Sequence, residues 1–198
     1  MTRKTIALDI DEVLFPFLPD MNKYINSIFG TSFNLEDYFV YVFEDIWGGT
    51  KEDTARLINK FSKTESYKKI KPINGAQRGI EKLSKENDLI AISNRPIKIK
   101  EETEEQLKLF FPGKFKKVFC LGGEKHYSTA PIPKVNICKQ EGASIIIEDG
   151  FRNALECAKA GIPAFLFDYP WNKNKTVNQE RITRIYAPHW RNLIKHLF

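Results

Sequence analysis

Thr5-Ile-Ala-Leu-Asp9-Ile-Asp11-Glu-Val-Leu14 is the stretch on which the fold turns. An apolar run leads directly into two carboxylates one residue apart, as in a buried strand that delivers acid to its own C-terminal end. Side chains alternate along an extended chain, so Asp9 and Asp11 leave on one side and Ile10 on the other. Two carboxylates held that close repel each other, and a divalent cation relieves the repulsion. The competing reading is a strand that ends in a solvated acidic turn, because such short patterns recur by chance.

Outward from this stretch, the 198 residues give room for one substantial core and a modest insertion, not for two full-sized domains. Hydrophobic residues at 42% and charged residues at 28% fit a globular chain and exclude wholesale disorder. No apolar run approaches bilayer length, and Met1-Thr-Arg-Lys4 enters the strand without a signal-type apolar region, so a cytoplasmic protein without membrane contact is expected. Cys120, Cys138 and Cys157 have neither metal-type nor redox-type spacing and read as reduced, buried thiols. The net charge of +6 is uneven, with lysines at 68, 69 and 71, at 98 and 100, and at 114, 116 and 117. Such clusters attract anions, either phosphorylated small molecules or nucleic acid. They also interrupt different elements rather than lining one helix, as an ordinary solvated surface does.

Phe15-Pro-Phe-Leu-Pro19 breaks the regularity after the first strand. Asp20 is then placed to cap a helix through Ile28, and Asn34 a second carrying Leu35, Tyr38, Phe39, Val42 and Phe43. Thr50 with Asp53 forms a capping pattern for a third helix holding Leu57, Ile58 and Phe61. After Pro72 helices and strands alternate. Helices are expected from Asn74, over 98–111, 134–141, 151–160 and 189–198, and strands over 88–93, 117–121, 143–149, 163–167 and 182–186. The alternation and the fully apolar strands mean an α/β fold with a Rossmann-like parallel sheet covered on both faces. Ligands of such sheets lie beyond the carboxyl ends of the strands. Those ends carry Asp9 and Asp11, then Ser93, then Glu148 and Asp149.

The order Asp-x-Asp-x-Val at 9–13, Ser93, Lys134 ahead of a helix, and the pair Glu148-Asp149 resembles the haloacid dehalogenase-like hydrolase superfamily. Ile145-Ile-Ile-Glu148-Asp-Gly150 and Phe165-Leu-Phe-Asp-Tyr-Pro-Trp-Asn172 look most like its 5'(3')-deoxyribonucleotidase-type branch. Glu12 stands where a glycine is common, and Glu148 where that branch usually has aspartate. The resemblance implies a core domain of residues 1–14 and 73–198, with residues 15–72 as a small helical cap inserted after the first strand.

It further implies a phosphatase that uses Mg2+. Asp9 would be the nucleophile and Asp11 the general acid and then base. Lys134 would stabilise charge and bind phosphate, alongside Ser93 and Asn94. The metal would be held by Asp9, Asp11, Glu148 and Asp149. Plainer readings also stand: Ser93 as a helix cap before Arg95-Pro96, Lys134 as one lysine among many, and Asn94, Arg95 and Arg152 as structural or solvated rather than substrate-binding. Phe17, Tyr41 and Phe43 belong to an aromatic concentration that suits a nucleobase platform, although aromatics at helical spacing more often build core. The expected partner is a phosphorylated small molecule, with a nucleotide first. Two alternatives stay open: a polynucleotide 3'-phosphatase, favoured by the positive charge, and a catalytically idle protein that docks a phosphorylated ligand or nucleic acid.

Overall fold

The computed structural model describes residues 3–40, 42–123, 132–175 and 180–198; Tyr41 lies outside them. β1 (Lys4–Leu8) is followed by four helices, α1 (Phe17–Phe29), α2 (Glu44–Trp47), α3 (Lys51–Phe61) and α4 (Glu65–Lys68). The chain then alternates through α5 (Ala76–Glu86), β2 (Asn87–Pro96), α6 (Lys100–Phe110), β3 (Phe115–Gly122), α7 (Lys134–Gln140), β4 (Ala143–Glu148), α8 (Phe151–Lys159), β5 (Ala164–Phe167), α9 (Pro170–Lys173), β6 (Ile182–Ile185) and α10 (His189–Leu197).

The six strands pair in parallel in the order β3-β2-β1-β4-β5-β6. Both faces are buried because each central strand is apolar on both. Ile6 and Leu8 of β1 join Leu89 and Ala91 of β2 in one core, while Ala7 joins Ile90 and Ile92 in the other. The first core continues into Met21, Tyr38, Ile58 and Phe61 of the helical block and is closed by α5, α6 and α10; α7 and α8 cover the second. All three cysteines are buried and unpaired. No described helix is long and apolar enough to cross a membrane.

The helical block differs from its sequence pattern at two places. α1 begins at Phe17, not at Asp20, and its first-turn donor Leu18 N is satisfied from outside the helix, by Glu12 Oε1 at 2.5 Å. Pro19 therefore sits in the first turn, where its missing N–H costs nothing. Asn34 caps a single 3₁₀ turn, Leu35–Asp37, rather than a long helix. The box closes within that turn, as Asn34 Oδ1 accepts Glu36 N at 2.9 Å and Asp37 returns to Asn34 N at 2.8 Å. Tyr38 then leaves helical geometry, buries its ring, donates its hydroxyl to Asn22 and accepts the Trp47 indole at 2.6 Å. The box of Thr50 and Asp53 opens α3 where expected.

Candidate active site

The parallel register brings the acidic strand ends together. Leu8 of β1 lies level with Ala91 of β2 on one side and Ile147 of β4 on the other, so Asp9 and Glu148 follow in one row, with Ser93 one residue farther along β2. Asp9 N extends the ladder to Ile147 O at 2.9 Å. Strand order reverses at β1, because the chain runs outward through β2 and β3 before returning to β4 on the far side. That is the crevice where α/β sheets bind ligands.

The first turn of α7 places Lys134 in this row. Its Nζ lies 2.7 Å from Asp9 Oδ2 and 2.6 Å from Glu148 Oε1. The other Asp9 oxygen accepts Ile10 N at 2.7 Å. Glu148 is saturated with donors: Oε1 also takes Asn153 Nδ2 at 2.8 Å, while Oε2 takes Asp149 N at 2.9 Å and Gly150 N at 2.7 Å. Asp149 accepts the Trp171 indole N–H on Oδ2 at 3.0 Å, and its carbonyl accepts Asn172 Nδ2 at 2.7 Å.

Three buried carboxylates here face one ammonium. Burial pushes Asp9 up to about 7; the Lys134 ammonium opposes this and outweighs the repulsion from Glu148 and Asp11, but not the burial. Asp149 is pushed well up by burial and by its neighbours Glu148 and Asp9. Burial works against the charged form of Lys134, but Asp9 and Glu148 outweigh it and hold its ammonium above the usual range. The cluster is short of positive charge. Asp9, Glu148 and Asp149 each offer an oxygen, all within 4.8 Å of one another, so the donor set fits a hard divalent cation.

Asp11 lies at the edge of this cluster with a side chain 13% exposed, paired with Arg95 Nη2 at 2.7 Å. The Ser93 hydroxyl accepts Arg95 N at 3.1 Å within β2 and caps no helix, which leaves its own proton to donate. Asn94 Oδ1 is buried without a hydrogen-bond partner among the described residues. Arg95, expected at the substrate, instead buries its guanidinium against Asp11, Thr103 and Gln106. Arg152 is 88% exposed on α8 and pairs with Glu156, so it does not join the cluster. Phe17 packs edge-on to Phe61, and Phe43 lies flat on Trp47 at 4.7 Å; both are buried, and the half-exposed ring of that stack is Trp47.

Sequence reasoning missed Trp171, Asn153 and the fate of Glu12. Glu12 is buried and adopts a left-handed φ of 59°, a conformation in which glycine is the unstrained residue. Burial pushes its carboxyl up to about 8, although the Leu18 N–H favours the charged form. The glycine common at this position was the available signal for that backbone turn.

A family model described as "5' nucleotidase, deoxy (Pyrimidine), cytosolic type C protein" matches residues 3–192. A nucleotidase of Clostridium acetobutylicum is 29% identical over 191 residues, covering 94% of this chain and 90% of that protein. Among solved structures, a haloacid dehalogenase-like family hydrolase of Streptococcus pneumoniae superposes with a TM-score of 0.65 at 11% identity, over 99% of both chains. A HAD-class protein of Bacillus subtilis bound to magnesium superposes with a TM-score of 0.58 at 14% identity, over 100% of this chain and 99% of that one. At these identities the two structures speak for the fold alone.

Proposed function

The chain belongs to the family of 5' nucleotidase, deoxy (Pyrimidine), cytosolic type C proteins, within the haloacid dehalogenase-like hydrolases, and on that premise we propose that it hydrolyses phosphate monoesters, nucleoside monophosphates first among them, through a phosphorylated Asp9. One observation carries the reading: Asp9, Lys134, Glu148 and Asp149 converge, buried, at the strand-order reversal, with Asp11 beside them.

An Asp9 oxygen attacks phosphorus, and the bond to the ester oxygen breaks. Asp11 gives its proton to that departing oxygen, then takes one from the water that cleaves the aspartyl-phosphate, which releases inorganic phosphate and restores Asp9. The Lys134 ammonium and the Ser93 hydroxyl hold the phosphoryl oxygens as charge redistributes. Asp9, Glu148, Asp149 and the Asp11 carbonyl would hold magnesium; when bound, the ion supplies the positive charge that lets a carboxylate approach a phosphate dianion. Glu148 itself braces Lys134, Asn153 and the turn into α8. Residues 15–72 act as the cap over a core of residues 1–14 and 73–198. The nucleotidase relative supports the substrate class, and the buried oxygen donors of Asp9, Glu148 and Asp149 support the metal.

The test is hydrolysis of p-nitrophenyl phosphate and of a nucleoside monophosphate, with magnesium and after complete chelation by EDTA. Turnover is expected with the metal and none without it. Full activity in excess EDTA would remove the metal from the reading, and no turnover of either ester with magnesium would remove the phosphatase.

A further inference from the structure

We infer that Arg95 is the positioning residue for Asp11, an assignment that rests on the hydrolytic reading above. Arg95 is only 1% exposed, and its guanidinium spans two elements. Toward the loop after β1, Nη2 reaches Asp11 Oδ1 at 2.7 Å, and Nε lies between the two oxygens, 3.2 Å from Oδ1 and 3.1 Å from Oδ2. Toward α6, Nη1 donates to Gln106 Oε1 at 2.9 Å and contacts Thr103 Oγ1 at 3.4 Å. Thr103 is itself fixed by donating its hydroxyl to Ile99 O at 2.8 Å. The ring of Tyr67, from α4 of the helical block, lies 5.6 Å from the guanidinium carbon.

A planar fork anchored at both ends holds its carboxylate in one orientation, which a flexible ammonium does not. The hold is also uneven. Oδ1 takes the short bond from Nη2, whereas Oδ2 meets only Nε among the described residues, so Oδ2 is the oxygen left to exchange a proton with the departing ester oxygen and then with water. Proton transfer needs hydrogen-bond reach at a defined angle, and without the fork Asp11 is free to turn toward solvent. The same residue presents its backbone N–H to Ser93 Oγ, so the turn that sets the phosphate donor also aims the acid.

Acting through Asp11 has a consequence that a separate structural or phosphate-binding role lacks. Wild type, Arg95→Gln, Asp11→Asn and the double variant are assayed with magnesium on a nucleoside monophosphate, each with a thermal melt. Arg95→Gln is expected to lower kcat at least tenfold with KM within about twofold, because orientation and not binding is lost. In the Asp11→Asn background the same change is expected to alter kcat less than about twofold. Arg95→Lys, which keeps the charge without the fork, should recover only a small part of the loss. An equal loss in both backgrounds, full rescue by Lys, or a change confined to KM overturns the assignment. If Arg95→Gln does not fold, Gln106→Leu carries the same cycle, with a loss present beside Asp11 and absent beside Asn as the supporting result. A wild-type protein inactive on every monoester removes the hydrolytic reading together with this one, whereas an active enzyme indifferent to Arg95→Gln removes this one alone.

Discussion

Asp9 is held by one donor on each carboxylate oxygen, the Ile10 N–H and the Lys134 ammonium, both at 2.7 Å. Asparagine in its place has the same shape but offers an amide, which is a far poorer nucleophile. It also removes one of three crowded acids, whose mutual repulsion helps to push Asp9 up to about 7. Asp9→Asn is therefore expected to lose about a thousandfold or more in kcat on an aryl phosphate while melting no earlier than wild type. Near-normal turnover in this variant, measured beside a circular-dichroism melt, would rule out the covalent route. The candidates visible at this scale were those with a local signature: the paired aspartates, the serine at a strand end, and the acidic pair. Trp171 lay within the 165–172 stretch of the family resemblance, but nothing local tied its indole to Asp149.

At the scale of elements, α5 and α10 meet through a glycine. A Cβ on Gly79 would stand 2.2 Å from Trp190 Cε3, and Trp190 in turn donates its indole to Val13 O at 2.8 Å, two residues past Asp11. Alanine gains up to about 1 kcal/mol in helix propensity, but overpacking a rigid indole costs about 1–3 kcal/mol, so the clash wins. Gly79→Ala should lower the urea midpoint and slow hydrolysis as well, since the displaced ring pulls on the Asp11 loop; an unchanged midpoint would mean that α10 moves freely. The start of α10 is also expected to be acid-sensitive. His189 Nε2 faces Asp168 O at 2.9 Å and must carry the proton there, while the ring lies on Phe167 with centroids 4.8 Å apart. Burial holds its pKa below 6.5, although the Asp168 carbonyl and carboxylate oppose that. The folded state thus prefers the neutral ring. Its stabilisation is complete above the unfolded value of 6.5 and is lost as the pH falls from there toward the lower folded value. Melting temperatures at pH 7.5 and pH 5 should fall further for wild type than for His189→Gln; parallel falls would show that the ring does not titrate on unfolding.

For the whole molecule, the surface charge separates two substrate classes. The lysine clusters are largely matched by acids, with Lys68 and Lys69 at Glu65, Lys100 at Glu104, Lys114 at Glu81, Lys116 at Asp88 and Lys117 at Glu141. Among the described residues, lysines engaged in this way have part of their charge neutralised, which weakens the attraction they offer a polynucleotide. A nucleoside monophosphate should accordingly be preferred over a sugar phosphate through KM, by roughly tenfold or more if the base stacks on an aromatic ring for about 1–3 kcal/mol. A 3'-phosphorylated oligomer should show no advantage and no steep loss between low and high salt. Equal KM values for the first two would defeat the nucleotide preference, and a steep salt loss on the oligomer would favour a polynucleotide substrate. By itself the sequence determined the parallel α/β sheet, the capping box that opens α3 and the acids at the strand ends. Apolar runs, two-residue alternation and caps three residues apart are interactions between near neighbours in the chain. Only the tertiary structure decided that Arg95 turns to Asp11, 84 residues away, that Glu12 caps α1, and that Phe17 and Phe43 pack inward. Those outcomes depend on the register that sets Leu8 level with Ala91 and on which buried donor finds which acceptor once the layers close.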